Sequence, residues 1–138
     1  MMSLTEISFN PIKILIVEDQ LIIAAELSNA LKNFNYEVVG IANTTAKAIS
    51  LTKEKLPDLV LMDIMLKDGD DGIETALKLK TIADLPIIFI TAYSDKSTIE
   101  RVKSVGPAGY LIKPFNHNEL YSAIETSYYK HNIEKKLK

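Results

Sequence analysis

The chain of 138 residues, 47% hydrophobic and 25% charged, is long enough to bury one sizeable core and too short for two domains of ordinary size. A formal net charge of -2 gives no general attraction for nucleic-acid phosphates, and the absence of cysteine excludes disulfides, thiolate metal sites and thiol nucleophiles. No apolar run approaches the roughly 20 residues of a membrane span, and no basic-then-apolar leader opens the chain, so a cytoplasmic protein without membrane contact is expected.

Residues 1–10 show no sustained period and read as a lead-in, followed by one domain over 11–131 and a helical extension or linker over 132–138. From Ile12 short apolar runs alternate with amphipathic ones, the pattern of βα units around a parallel sheet. Ile12 to Val17 forms the first strand and ends in Glu18-Asp19. A helix follows, with Ile23, Leu27, Ala30, Leu31 and Phe34 on one stripe. Glu37 to Ile41 reads as the second strand, and Thr44-Thr45 starts a second helix that Pro57 stops. Leu59 to Met62 is the third strand, closed by Asp63 and followed by the Gly-bearing loop Lys67 to Gly72. The third helix, Ile73 to about Ile82, turns Ile73, Ala76, Leu77 and the stem of Lys80 inward. Strand four is Ile87 to Ile90, ending in Thr91, and Ser94-Asp95 caps a helix that Gly106-Pro107 ends. Strand five, Ala108 to Ile112, leads through Lys113-Pro114 and Asn116 into the last helix.

That last helix carries two apolar faces. Leu120, Ala123, Ile124 and Tyr128 share one arc, while Tyr129, Ile133 and Leu137 lie nearly opposite. The second face reads either as a frayed, solvated tail or as a connector that pairs with a partner helix or leads into another domain.

Five parallel strands would bring Glu18, Asp19, Asp63, Thr91 and Lys113 to one edge, at the carboxyl ends where open α/β sheets bind ligands. Each residue alone has a plainer reading: Glu18-Asp19 as a helix cap, Asp63 as a turn former, Thr91 as a β-branched strand residue, Lys113 as a surface charge, Tyr110 as a half-buried aromatic. Three neighbouring carboxylates repel one another, and such a cluster is sustained by a cation. Magnesium fits an oxygen-only set that leaves room for water and a phosphate oxygen.

Glu18-Asp19, Asp63, Thr91 and Lys113-Pro114, separated by 44, 28 and 22 residues, together with the phrases Val17-Glu18-Asp19, Pro57 to Asp63 and Leu111-Ile112-Lys113-Pro114-Phe115, resemble the receiver domain of two-component response regulators. The resemblance extends from about Ile12 to Tyr128. It implies a doubly wound α/β fold of flavodoxin type, a five-stranded parallel sheet in order 2-1-3-4-5 with helices on both faces. It also implies that Asp63 accepts a phosphoryl group from a histidine kinase or phosphotransfer domain. Magnesium, with manganese or calcium able to substitute, would be held by Asp19 and Asp63 directly, by Glu18 through water and by the Met65 main-chain carbonyl. Thr91 and Lys113 would contact the phosphoryl oxygens, and a cis Lys113-Pro114 bond would aim Lys113. Tyr110 would swing inward with Thr91, altering the face formed by the fourth helix, fifth strand and fifth helix. The small Ala92 leaves access to the phosphoryl group, while Met65 and Tyr93 stand where family members tune dephosphorylation, and their bulk predicts slow hydrolysis.

The expected function is a phosphoacceptor module that catalyses only its own modification, forming a homodimer through that switch face or the C-terminal helix. An ending like Tyr128 to Leu137 resembles receivers that precede a sensor or kinase portion, which would lie beyond Lys138. Two other classes fit the fold less well. An aspartyl-phosphate hydrolase would carry a second Asp where Met65 stands, and a flavodoxin-like ligand binder needs a glycine-rich phosphate loop where Glu18-Asp19-Gln20 is acidic.

Overall fold

A computed structural model describes residues 10–66, 69–92 and 95–137. Its five strands are β1 (Lys13–Val17), β2 (Glu37–Ala42), β3 (Leu59–Asp63), β4 (Ile87–Thr91) and β5 (Gly109–Ile112). They alternate with helices α1 (Leu21–Asn33), α2 (Thr45–Lys55), α3 (Gly72–Ile82), α4 (Lys96–Val105) and α5 (His117–Lys136). The strands pair in parallel in the order β2-β1-β3-β4-β5, the parallel sheet expected from the alternation in the doubly wound order implied by the family resemblance. β3 and β4 are buried at every position. That burial on both faces explains why Leu59-Val60-Leu61-Met62 and Ile87-Ile88-Phe89-Ile90 are unbroken apolar runs instead of alternating ones.

Successive side chains serve two cores. Leu15, Val17, Val60, Met62, Ile87 and Phe89 face α2, α3 and α4 through Ala48, Ala76, Leu79 and Val102. Ile14, Ile16, Leu61 and Ile90 face α1 and α5 through Leu27, Leu31, Leu120 and Ile124. Local chemistry sets the helix ends. Thr44 Oγ1 accepts from Lys47 N at 3.1 Å to start α2, and Asp95 Oδ2 accepts from Thr98 N at 3.1 Å to start α4. Ser94, the other expected cap residue, lies outside the described residues, as do Tyr93, Lys67 and Asp68 of the loops, the first nine residues of the lead-in and Lys138. Gly106 ends α4 with a φ of 70°, a left-handed turn that glycine adopts without penalty.

One expectation is corrected, and one plainer reading is set aside. Leu77 is 48% exposed, whereas Gly72, Thr75 and Leu79 are buried with Ile73 and Ala76, so the inward arc of α3 is turned by about 80° from the Ile73–Leu77 stripe at 100° per residue. The cause is Gly72, whose backbone lies directly against the carbonyl of Asp63 and sets the helix's rotation. The acidic pair Glu18-Asp19 does not cap α1: the cap position is Gln20, with no side-chain hydrogen bond, and the first turn contains no acid.

α5 is closed at its start by a reciprocal pair, Asn116 Oδ1 accepting from Glu119 N at 2.8 Å and Glu119 Oε1 accepting from Asn116 N at 3.4 Å. Asn116→Ala removes the first of these. It is expected to destabilise the fold by about 1 kcal/mol, read as a fall in Tm of a few degrees without loss of cooperativity. α5 then runs unbroken across residue 131 to Lys136, with Tyr129, Ile133 and Leu137 exposed along its far side. His131 on the same helix stands against Asp84, its Nε2 3.2 Å from the Asp84 carbonyl oxygen. Among the described residues no helix is long and apolar enough to cross a membrane.

Candidate functional site

The parallel register carries the ends of β1, β3 and β4 to a common edge. Val17 pairs with Met62 and Asp63 with Ile90, so Glu18-Asp19, Asp63 and Thr91 leave the sheet side by side. The next residue after β5's last pair is Lys113, whose N–H donates to the Thr91 carbonyl at 2.8 Å. Glu18, Asp19 and Asp63 each bring a carboxylate oxygen to a point where all three lie within 4.8 Å of one another. Lys113 Nζ is 3.4 Å from Asp63 Oδ2, to which it donates, and 3.5 Å from Glu18 Oε1. The Lys113–Pro114 peptide bond is cis.

Glu18 and Asp63 are 2% and 6% exposed, so their charges are poorly screened and the pair has little water to share. Burial, together with the nearby Asp63 carboxylate, pushes the Glu18 carboxyl up to about 7, against the opposing pull of the Gln20 N–H and the Lys113 ammonium. Gln20 N donates to Glu18 Oε2 at 3.2 Å, but Glu18 Oε1 is buried with no hydrogen-bond partner among the described residues. A buried carboxylate oxygen with no hydrogen bond, facing only the Lys113 ammonium at 3.5 Å inside a carboxylate triad, fits a divalent cation with oxygen ligands. Because the folded chain binds this proton more tightly than the ordinary value of 4.5, stability of the metal-free protein falls as the pH rises through the window from 4.5 to about 7. Glu18→Gln is therefore expected to unfold at a higher temperature than the parent at pH 8 in chelator, with the difference vanishing near pH 4. A parent that loses no stability across that window would contradict it.

The remaining expected residues take different places. Thr91 is 1% exposed at the end of β4, beside Asp63's strand. Tyr110 lies opposite Phe89 in the β4–β5 register, half-buried against the core that includes Val102 and Val105. Burial and the Asp95 carboxylate raise its phenol above the ordinary range. Met65 is 58% exposed, and its N–H donates to Asp63 Oδ1 at 3.0 Å.

Sequence reasoning missed what holds the loop after Asp63. Gly72 N donates to the Ile64 carbonyl at 2.8 Å. Asp70 Oδ2 accepts from Thr45 N at 2.9 Å, fastening the loop to the start of α2. Asp71 Oδ1 caps α3 through Ile73 N at 2.8 Å, and its Oδ2 is paired with Arg101 of α4. The cap was open to detection, since an Asp before an apolar-periodic run is a start signal. The Arg101 partner, 30 residues on, carried no local signal.

Residues 14–125 match the family model of the response regulator receiver domain. The transcriptional regulatory protein PdtaR of Mycobacterium tuberculosis (strain CDC 1551 / Oshkosh) is 36% identical over 115 residues, spanning 83% of this chain and 56% of that protein. The sporulation initiation phosphotransferase F of Bacillus subtilis (strain 168) is 35% identical over 114 residues, spanning 82% of this chain and 90% of that protein. The crystal structure of the signal receiver domain of a modulated diguanylate cyclase from Desulfovibrio desulfuricans G20 superimposes with a TM-score of 0.84 at 39% identity, covering 91% of this chain and 99% of that one.

Proposed function

The chain belongs to the response regulator receiver domain family, and from that premise we propose that it accepts a phosphoryl group on Asp63 from a histidine kinase or phosphotransfer domain. The observation that carries this reading is the convergence of Asp63 with Glu18 and Asp19 inside 4.8 Å and with the Lys113 ammonium at 3.4 Å.

In the proposed step an Asp63 carboxylate oxygen forms a bond to phosphorus as the phosphorus–nitrogen bond of a phosphohistidine breaks, and the imidazole leaves with a proton from solvent. Glu18, Asp19, Asp63 and the Met65 carbonyl are the residues that would hold magnesium. When bound, magnesium supplies neutralising charge for the carboxylates and the phosphoryl oxygens. Lys113 holds a compact cation beside the accepting carboxylate, which favours the charge that develops on the phosphoryl oxygens. The N–H of Met65 orients Asp63 by holding one of its oxygens, leaving the other toward Lys113. The Thr91 hydroxyl, at the adjacent strand end, donates to a phosphoryl oxygen and passes its movement to Tyr110 and to the α4–β5–α5 face. Modification is the chain's only chemistry in this reading. Its setting is the cytoplasm, and an output partner or a second copy reads the altered face or the exposed row Tyr129, Ile133 and Leu137.

Incubation with acetyl phosphate and magnesium, followed by intact-mass measurement and peptide mapping, tests this directly. One phosphoryl group on Asp63 is expected, and none when chelator replaces magnesium from the start. Modification elsewhere, or labelling indifferent to chelator, would overturn the assignment.

A further inference from the structure

Helix α4 has few apolar anchors. Of its 10 residues Val102 and Val105 alone are buried, so polar ties weigh more in fixing its position than they do for a helix with a full apolar face. Those ties run to α3. At the C-terminal end of α4, Lys80 Nζ donates to the carbonyls of Val105 at 3.1 Å and Gly106 at 2.8 Å. At its middle, Arg101 forms an ion pair with Asp71.

Asp71 connects two elements. It ends the loop that begins at Asp63, forms a bridge with Met65, and caps α3 through Ile73 N and Glu74 N. One carboxylate thus joins α4 to the segment carrying the phosphoacceptor of the proposed function. Burial acts to raise the Asp71 carboxyl, but the Arg101 guanidinium and the two backbone N–H groups outweigh it and hold the group below the ordinary carboxylate range. The pair is therefore charged on both sides at neutral pH. Arg101 is the only arginine in the sequence, and its planar fork keeps a fixed geometry that a lysine ammonium does not impose. Thr91 closes β4 and α4 begins at Lys96. In the proposed function, a shift of Thr91 toward a phosphoryl group on Asp63 would reach α4 along the chain that joins β4 to it, while Arg101 ties the middle of α4 to the loop.

We propose that the Arg101–Asp71 ion pair is a latch that keeps α4 in its unphosphorylated position, making Arg101 a positioning residue that sets how readily Asp63 is phosphorylated. The latch rests on the assignment of Asp63 as phosphoacceptor. The pair is half-exposed, with side chains 49% and 26% accessible. Its strength is that of a surface ion pair, sufficient to bias the equilibrium by about two- to fivefold and weak enough for phosphorylation to break.

The test compares labelling rates by acetyl phosphate with magnesium in the full chain and in R101Q, R101K, D71N and the D71N/R101Q double variant. Asparagine keeps the cap on α3, so D71N removes the charge without removing the helix start. R101Q and D71N are each expected to label about two- to fivefold faster, the double variant no faster than either, and R101K close to the parent. Amide exchange over residues 96–105 rises in the fast variants before any phosphodonor is added. Labelling of R101Q at or below the parental rate, or additive effects in the double variant, would overturn the latch. A parent that takes no label on Asp63 sinks the phosphoacceptor reading itself, and the latch with it.

Discussion

Asp63→Asn is expected to abolish phosphoryl labelling in the presence of magnesium while leaving the chain folded. The amide has the size of the carboxylate but no oxygen able to form an acyl phosphate as a nucleophile, so the loss is complete and not graded. Folding should not suffer. Removing one of three carboxylates held within 4.8 Å relieves repulsion in the metal-free protein, and the Met65 N–H can still donate to the amide oxygen that replaces Oδ1. The variant is therefore expected to unfold at or above the parental temperature in chelator, yet to gain less from added magnesium, because a ligand that binds only the folded state stabilises in proportion to its affinity. Thermal unfolding with and without magnesium, run beside the labelling assay, separates lost chemistry from lost structure. Labelling of the variant at the parental level would remove Asp63 from the mechanism.

Gly72→Ala attacks the same carboxylate from behind. A Cβ built on Gly72 would stand 2.0 Å from the Asp63 carbonyl oxygen, 2.8 Å from Ile64 Cα and 2.9 Å from the Asp63 carbonyl carbon. All three are backbone atoms at the end of a fully buried strand, so no side chain can turn aside to make room. The constraint is one of space and not of left-handed backbone. Overpacking of this kind costs about 3 kcal/mol or more, which for a domain of this size lowers Tm by roughly 10 °C. Where the variant remains folded at low temperature, the displaced end of β3 should also slow labelling, since a small misplacement of a reacting group is expensive. Circular dichroism melting and labelling at 10 °C would measure both effects, and parental values for the two would refute the close approach.

Much of this architecture is legible from individual residues. Leu59 to Met62 and Ile87 to Ile90 announce buried parallel strands because a strand covered on both faces has no reason to alternate. Thr44, Asp95 and Asn116 announce helix starts because their side chains replace missing backbone partners. Leu77 misled because periodicity reports the spacing of an apolar stripe but not which edge of it turns inward. Gly72 decides that edge, through a contact with a strand that precedes it by nine residues. The acidic pair Glu18-Asp19 was equally ambiguous as a cap, and only the position of Gln20 at the start of α1 removes that reading.

The site divides along the same line. By itself the sequence determined the chemistry on offer: three acids, a hydroxyl and an ammonium, each closing an apolar run, in a spacing that marks the receiver family. Such information is local, because strand burial, turn chemistry and motif spacing are written in neighbouring residues. The tertiary structure alone decided how those groups bear on one another, with Glu18 buried and one of its oxygens without a hydrogen bond, Lys113 within reach of two carboxylates, and Asp71 tied to Arg101 across two helices. Those relations depend on strand register and helix rotation, which are settled only when the whole core packs, so no stretch of sequence near Asp63 could announce them.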